Sequence, residues 1–224
     1  MNAYILVEGK RCERKLYPAW LSAIAPHLQQ VKDPNKIASN NYFLFSGEGY
    51  PSILDVHLGN AIRDIEKVGR FDFLIVALDS DEDSAAAREE AVIAAAENAT
   101  PALTTATLEV VIQHRCIETW LLANRRIFVR NPENYELRNY IEHYDARQLN
   151  PEEMPKPPEF NTHAQFHYAY LRAIFEERKI SYTKTRPGEA ATSAYLEQIM
   201  SRAKDCPDHI QSFSRFLDIC RKLS

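Results

Sequence analysis

Three hydrophobic segments of this sequence run towards acids. Ala3-Tyr4-Ile5-Leu6-Val7 ends at Glu8-Gly9, and Phe71-Asp72-Phe73-Leu74-Ile75-Val76-Ala77-Leu78 runs straight into Asp79-Ser80-Asp81-Glu82-Asp83. Glu118 follows the third segment, Thr107 to Ile112, by six residues. Clustered carboxylates repel one another unless a cation is present, and hard oxygen ligands favour Mg²⁺, Mn²⁺ or Ca²⁺. Such a cluster suits phosphoryl transfer, where ions activate water and stabilise the leaving oxygen. On an extended backbone Asp79 and Asp81, two apart, would point the same way. The plainer alternative is that acids after a strand cap a helix N-terminus. It is the preferred reading of Glu82 and Asp83, which precede a helix over 84–99. For Asp79 and Asp81 the two readings balance until Glu8 is counted, because acids ending two separate buried strands are a rarer conjunction.

These acids gain meaning from the elements that carry them. Unbroken apolar runs fit strands buried on both faces, as in a parallel sheet flanked by helices. Strands are expected at 3–7, 42–45, 71–78 and 107–112. Helices are expected over 13–25, where Pro18 must start or kink the helix, and over 51–68, which Gly69 is placed to end. Two more follow at 84–99 and 116–124. The alternation argues an α/β sheet with right-handed crossovers, and in such sheets function collects at the C-terminal strand ends. After residue 125 no convincing strand appears. The proline-rich stretch 150–158 reads as a connector, and 162–179, 189–204 and 207–222 read as helices, with breaks at Gly188-Glu189 and Cys206-Pro207. The expected organisation is an α/β domain over 1–125 and a helical C-terminal extension over 126–224 packed on it.

Composition sets the outer bounds. The 224 residues, 45% hydrophobic, support a real core and exclude a disordered chain. Lys+Arg 27 against Asp+Glu 31 gives a net charge of −4, which excludes a surface coated in basic charge for indiscriminate nucleic-acid binding. The cysteines, Cys12, Cys116, Cys206 and Cys220, form no CxxC pair and match no zinc spacing. Without a signal peptide ahead of them they read as reduced thiols of a cytoplasmic protein. Apolar stretches fall far short of the ~18 residues of a membrane span.

With Val7-Glu8-Gly9 closing one strand and Asp79-Ser80-Asp81 closing a later one, the sequence resembles the Toprim domain of topoisomerases, bacterial primases and overcoming-lysogenization-defect (OLD) nucleases. It looks most similar to small stand-alone Toprim-like proteins of bacterial defence loci, including RloB-like ones. In those, an acid opens the first helix, as Glu13 does here, and a Glu-x-Trp-Leu-Leu segment is typical, here Glu118-Thr119-Trp120-Leu121-Leu122. The resemblance implies a mainly parallel Toprim-like sheet, with Glu8 as metal ligand or general acid/base and Asp79 and Asp81 binding Mg²⁺ or Mn²⁺. It adds Glu13 as a further metal ligand and Lys184 as a catalytic lysine near the scissile phosphate; Glu118, by its place after the last strand, is a further candidate metal ligand. Glu13 lies five residues after Glu8, one more than the OLD-type spacing. The implied activity is hydrolysis of phosphodiester bonds in DNA or RNA, in antiphage defence, with an ATPase partner or a second copy of the chain as possible company.

The most basic short segment, Arg178 to Arg186, offers Lys184 and Arg186 to phosphates. Arg178 and Lys179 read instead as a helix C-terminus. Arg115 could hold a carboxylate or phosphate in a two-pronged contact; an ion pair with Glu118 is the equal alternative. His163 and His167 share a helix face but read as surface or packing histidines, since no His-Glu-x-x-His surrounds them. Ser46-Gly47-Glu48-Gly49 reads as a strand-to-helix turn. The leading expectation is a metal-dependent nuclease. The others are a non-catalytic regulatory subunit of the same fold and a flavodoxin-like sheet whose acids only cap helices.

Overall fold

The computed structural model describes residues 1–223. Along them run β1 (Ala3–Val7), α1 (Glu13–Ile24), β2 (Gln29–Val31), β3 (Asn41–Ser46), α2 (Gly59–Val68), β4 (Phe73–Asp79), α3 (Ala85–Glu97) and β5 (Thr107–Gln113). Only helices and short turns follow: α4 (Ile117–Leu121), α5 (Tyr135–His143), α6 (His163–Glu177), α7 (Ser193–Asp205) and α8 (Gln211–Lys222). This is an α/β protein with a helical C-terminal part. Among the described residues, no helix is long and apolar enough to cross a membrane.

The chain forms two compact units. The first comprises Met1–Leu78, Ser84–Ile112 and the stretch from Arg215 onward; the second comprises Asp79–Asp83 and Gln113–Ser214.

The five strands form one parallel sheet in the order β2-β3-β1-β4-β5. Its centre is β1, paired in parallel with β3 (Val7 opposite Ser46) and with β4 (Val7 opposite Ala77). On one face Tyr4, Leu6, Leu74, Val76, Leu78, Val110 and Ile112 meet Ile62 and Ile65 of α2 and Val92 and Ala96 of α3. Each fully buried aliphatic side chain of this kind contributes about 1.5–3 kcal/mol. The intervening residues Ala3, Ile5 and Val7 are buried equally deeply. Both faces of β1 are therefore covered, which is why its sequence is unbroken apolar rather than alternating. Tyr17 and Trp20 of α1 meet the ring of Phe216 in α8, with centroids 5.2 and 6.3 Å away.

Several expected boundaries shift for local reasons. Pro18 lies inside α1 rather than at its start. The helix expected over 51–68 opens with a π-helical stretch, Ile53–Leu58, and ends at Gly69, whose φ of +63° a glycine adopts without a Cβ penalty. The third expected strand extends one residue further than predicted, so Asp79 is itself the last residue of β4. β2 and α5 were not expected: β2 is three residues of mostly exposed edge, and α5 has a single fully buried residue, Leu137.

Candidate functional site

In the first unit, the end of β1 is held by the loop after β3. The Gly47 N–H donates to Val7 O (2.7 Å) and the Gly49 N–H to Glu8 O (3.1 Å). The Tyr50 N–H then reaches the Glu8 carboxylate itself, 3.2 Å from Oε1. The Ser46-Gly47-Glu48-Gly49 turn thus positions an acid: its glycine N–H groups are engaged by Val7 and Glu8, and the Glu48 N–H by Ser46 Oγ (3.3 Å). Glu13, in the first turn of α1, is buried and folds back over Gly9. A Cβ at Gly9 would lie 1.9 Å from Glu13 Oε2, so only glycine leaves room for that carboxylate beside the Glu8 peptide. The five-residue spacing therefore still returns Glu13 to the Glu8-Gly9 turn.

In the second unit, the chain leaves β4 at Asp79 and turns at once. Ser80 donates its N–H to Gln113 O (3.1 Å), and the Asp81 N–H donates to Arg115 O (3.0 Å). Asp81 and Arg115 both have positive φ, +50° and +34°. The extended-backbone argument that aligned Asp79 with Asp81 therefore does not apply beyond Asp79. Arg115 answers with its side chain, donating from Nη1 to the carbonyls of Asp81 (3.0 Å) and Asp83 (3.3 Å). It clamps the acidic turn through its backbone, and the alternative of an Arg115–Glu118 ion pair is not what forms.

Glu118 has a different cation. It is completely buried, and its Oε1 accepts from the Tyr182 hydroxyl (3.2 Å) and lies 3.5 Å from Lys184 Nζ. Its Oε2 is buried with no hydrogen-bond partner among the described residues. Buried carboxylate oxygens are ordinarily satisfied, so this one needs an explanation. The Cys116 thiol, two residues before Glu118, reports the surroundings. Burial pushes it well above the usual thiol range, and the negative charges of Glu118 and Asp79 push it further; a hydrogen bond with Thr119 and the charge of Lys184 act in the opposite direction. One sulfur thus feels Asp79, Glu118 and Lys184 together, which places all three around the start of α4.

Lys184 and Arg186 sit on a tight turn closed by reciprocal backbone bonds between Thr183 and Arg186 (3.1 and 2.9 Å). Arg186 is exposed and its guanidinium makes no ion pair among the described residues. Tyr182 was not singled out from the sequence. Its signal was positional: in an extended segment residues 182 and 184 face the same way, and both reach Glu118.

The remaining candidates have structural roles. Glu82 serves a helix N-terminus, but that of α6 rather than α3: it accepts from the His163 N–H (2.7 Å) and pairs with His163 Nδ1 (2.9 Å). Burial raises its carboxyl, yet these bonds outweigh burial and leave it below the ordinary value. Ser84 caps α3 instead. His167 is fully buried between Thr119 Oγ1 (2.7 Å) and Met154 O (3.4 Å), and burial lowers its pKa to about 3, as expected of a neutral packing histidine.

Among the described residues, no group of three or more His, Cys, Asp or Glu side chains is arranged to hold a metal ion. Mg²⁺ does not require one, since it is commonly held by one or two carboxylates plus substrate phosphates and water. The unsatisfied Glu118 oxygen, with Asp79 acting on the same neighbouring thiol, fits that demand. In comparisons with family models, curated proteins and solved structures, nothing matches this chain.

Proposed function

We propose that the protein is a Mg²⁺- or Mn²⁺-dependent nuclease that hydrolyses phosphodiester bonds in DNA or RNA. The observation that carries this reading is the fully buried Glu118, whose Oε2 has no hydrogen-bond partner and whose charge, like that of Asp79, reaches the Cys116 thiol. A buried anion left partly unsatisfied calls for a cation or a proton. When bound, such an ion supplies Lewis acidity that offsets charge developing on the phosphoryl oxygens.

The protein's own groups have separate tasks in this reading. Asp79 and Glu118 offer carboxylate oxygens. Lys184, half-exposed beside Glu118, neutralises charge on the phosphate, and Arg186 on the same turn holds a neighbouring phosphate. Glu8, at the end of β1 in the first unit, is the acid to which the Toprim resemblance gives the role of metal ligand or general acid/base. Asp81 lies in the turn that Arg115 clamps, and Glu13 folds over Gly9 in the first unit. A cytoplasmic role in antiphage defence, with an ATPase partner or as a homodimer, rests on the Toprim resemblance alone.

A second reading has its own observation. Lys184 already offers Glu118 a cation at 3.5 Å, so the pair could be purely structural in a non-catalytic regulatory subunit of the same fold. Purified protein incubated with plasmid DNA and with tRNA in Mn²⁺ separates the two. Cleavage lost in Asp79→Ala and in Glu118→Gln supports the nuclease; cleavage that survives Asp79→Ala and Glu8→Ala together removes it. No cleavage, and no calorimetric Mn²⁺ binding, would leave the regulatory subunit.

A further inference from the structure

A cavity of about 250 Å³ lies in the second unit, beside α5. One wall is Arg138, Ile141 and Glu142, three and four apart on a single face of α5, with Asp145 just beyond the helix end; the other is the segment from Phe128 to Pro132, with Arg147 completing the lining. Three arginines, Arg130, Arg138 and Arg147, therefore line one cavity of a chain whose net charge is −4. None of them makes an ion pair among the described residues; Arg138 lies 5.9 Å over the exposed ring of Tyr135, and its charge acts on Glu177 without pairing with it. Three arginines not ion-paired with the two carboxylates of the same concave surface can take a phosphate in forked hydrogen bonds.

The rest of the lining narrows the ligand. Phe128, Val129, Pro132 and Ile141 supply apolar surface, on which a flat base can lie while a guanidinium plane covers it. Glu142 and Asp145 would repel a bare phosphate, but carboxylates accept hydrogen bonds from ribose hydroxyls, as acids in dinucleotide sites do. Asp145 gives one oxygen to the Arg147 N–H (3.0 Å), and Glu142 makes no hydrogen bond or ion pair among the described residues. The volume is just under the ~300–1,000 Å³ of small-molecule sites, enough for a base and sugar with the phosphate at the mouth. We infer that this cleft binds one ribonucleotide unit, with the phosphate on Arg130, Arg138 and Arg147 and the ribose on Glu142. The unit is either a free mononucleotide or one residue of an RNA strand.

The test is binding in EDTA, so that it is independent of the proposed metal chemistry. Titrating the full chain with AMP, dAMP, short single-stranded oligoadenylate and inorganic phosphate separates the sources. The expected result is saturable binding of AMP or of oligoadenylate, tighter than dAMP and than phosphate; AMP binding identifies a free nucleotide, and binding of the oligonucleotide alone identifies an RNA strand. Arg130→Ala with Arg147→Ala, both exposed positions, should weaken binding about tenfold or more. Glu142→Ala should remove the preference for ribose, while Asp79→Ala leaves binding intact even if it abolishes cleavage. No saturable ribonucleotide binding, or binding unchanged in the double arginine variant, overturns the inference.

Discussion

Lys184 Nζ lies 3.5 Å from Glu118 Oε1, yet the carboxylate is completely buried and the ammonium half-exposed. A pair so unequally solvated joins an anion that has lost its hydration to a cation that keeps most of its own. The lysine can therefore swing to a phosphate at small cost, whereas the glutamate must always have something positive or hydrogen-bonding beside it.

That asymmetry makes the metal reading measurable without any substrate. Lys184→Ala should cost more than the ~1 kcal/mol of an exposed ion pair, because the completely buried Glu118 loses its cation and keeps only the Tyr182 hydroxyl bond. If Glu118 takes a divalent ion, Mn²⁺ should then raise Tm more in Lys184→Ala than in the unsubstituted protein, the stabilisation of the variant reaching about 2.7 kcal/mol at a hundredfold excess over Kd. Glu118→Gln should lose the Mn²⁺ response. Equal Mn²⁺ shifts in all three proteins, followed by thermal melts, would place the ion elsewhere.

Of the glycines of the first unit, Gly9 has the least room for a Cβ. A Cβ there would overlap the Glu13 carboxylate, so Gly9→Ala must displace the end of that buried side chain. The expected loss is about 1–3 kcal/mol, in the range of other overpacking substitutions. Gly9→Ala combined with Glu13→Ala should recover part of it, because the clash is then gone. Urea midpoints of the three variants check this.

The cysteines should differ sharply towards a thiol reagent. Cys12, Cys116 and Cys220 are buried and Cys206 is partly exposed. Burial, then Glu118 and Asp79, hold the Cys116 thiol protonated, and burial pushes Cys220 up to about 12. Only the thiolate reacts. Mass spectrometry after brief labelling of the native protein should find the label on Cys206, with the others modified only in denaturant; early labelling of Cys116 would contradict the packing around α4.

Acid should weaken the second unit through His167. Its folded pKa is about 3, against an ordinary value of 6.5, so between those values the unfolded chain binds the extra proton. Stability therefore rises with pH across this window and is lost as pH falls from about 6.5 towards 3, with a slope of at most about 1.4 kcal/mol per pH unit. The buried Glu152 carboxyl, raised by burial against its bonds to Ser212 and Gln211, works in the opposite sense and blunts the fall. Denaturant midpoints from pH 7 to pH 4 should decline less steeply in His167→Gln than in the unsubstituted protein.

The strands that build the sheet were legible because their signal is local. Ala3–Val7 is apolar throughout since both faces of β1 are covered, and the acids at Glu8 and Asp79 follow directly where the chain emerges. The same holds for the Gly69 stop and for the helical run of the C-terminal half. β2 was not legible, because a short edge strand owes its conformation to hydrogen bonds with β3 rather than to its own residues.

Side-chain partners lay beyond the sequence for a related reason. Spacing along a chain says nothing about which residue arrives from 64 positions away, as Tyr182 does at Glu118, or from 81 away, as His163 does at Glu82. Sequence alone identified the fold class and the carboxylates at the strand ends, because burial and periodicity act on neighbours. Tertiary structure alone decided that Lys184 and not Arg115 meets Glu118, that Asp81 turns away from the extended path, and that three arginines share one cavity. Charge pairing and concavity are properties of the folded path.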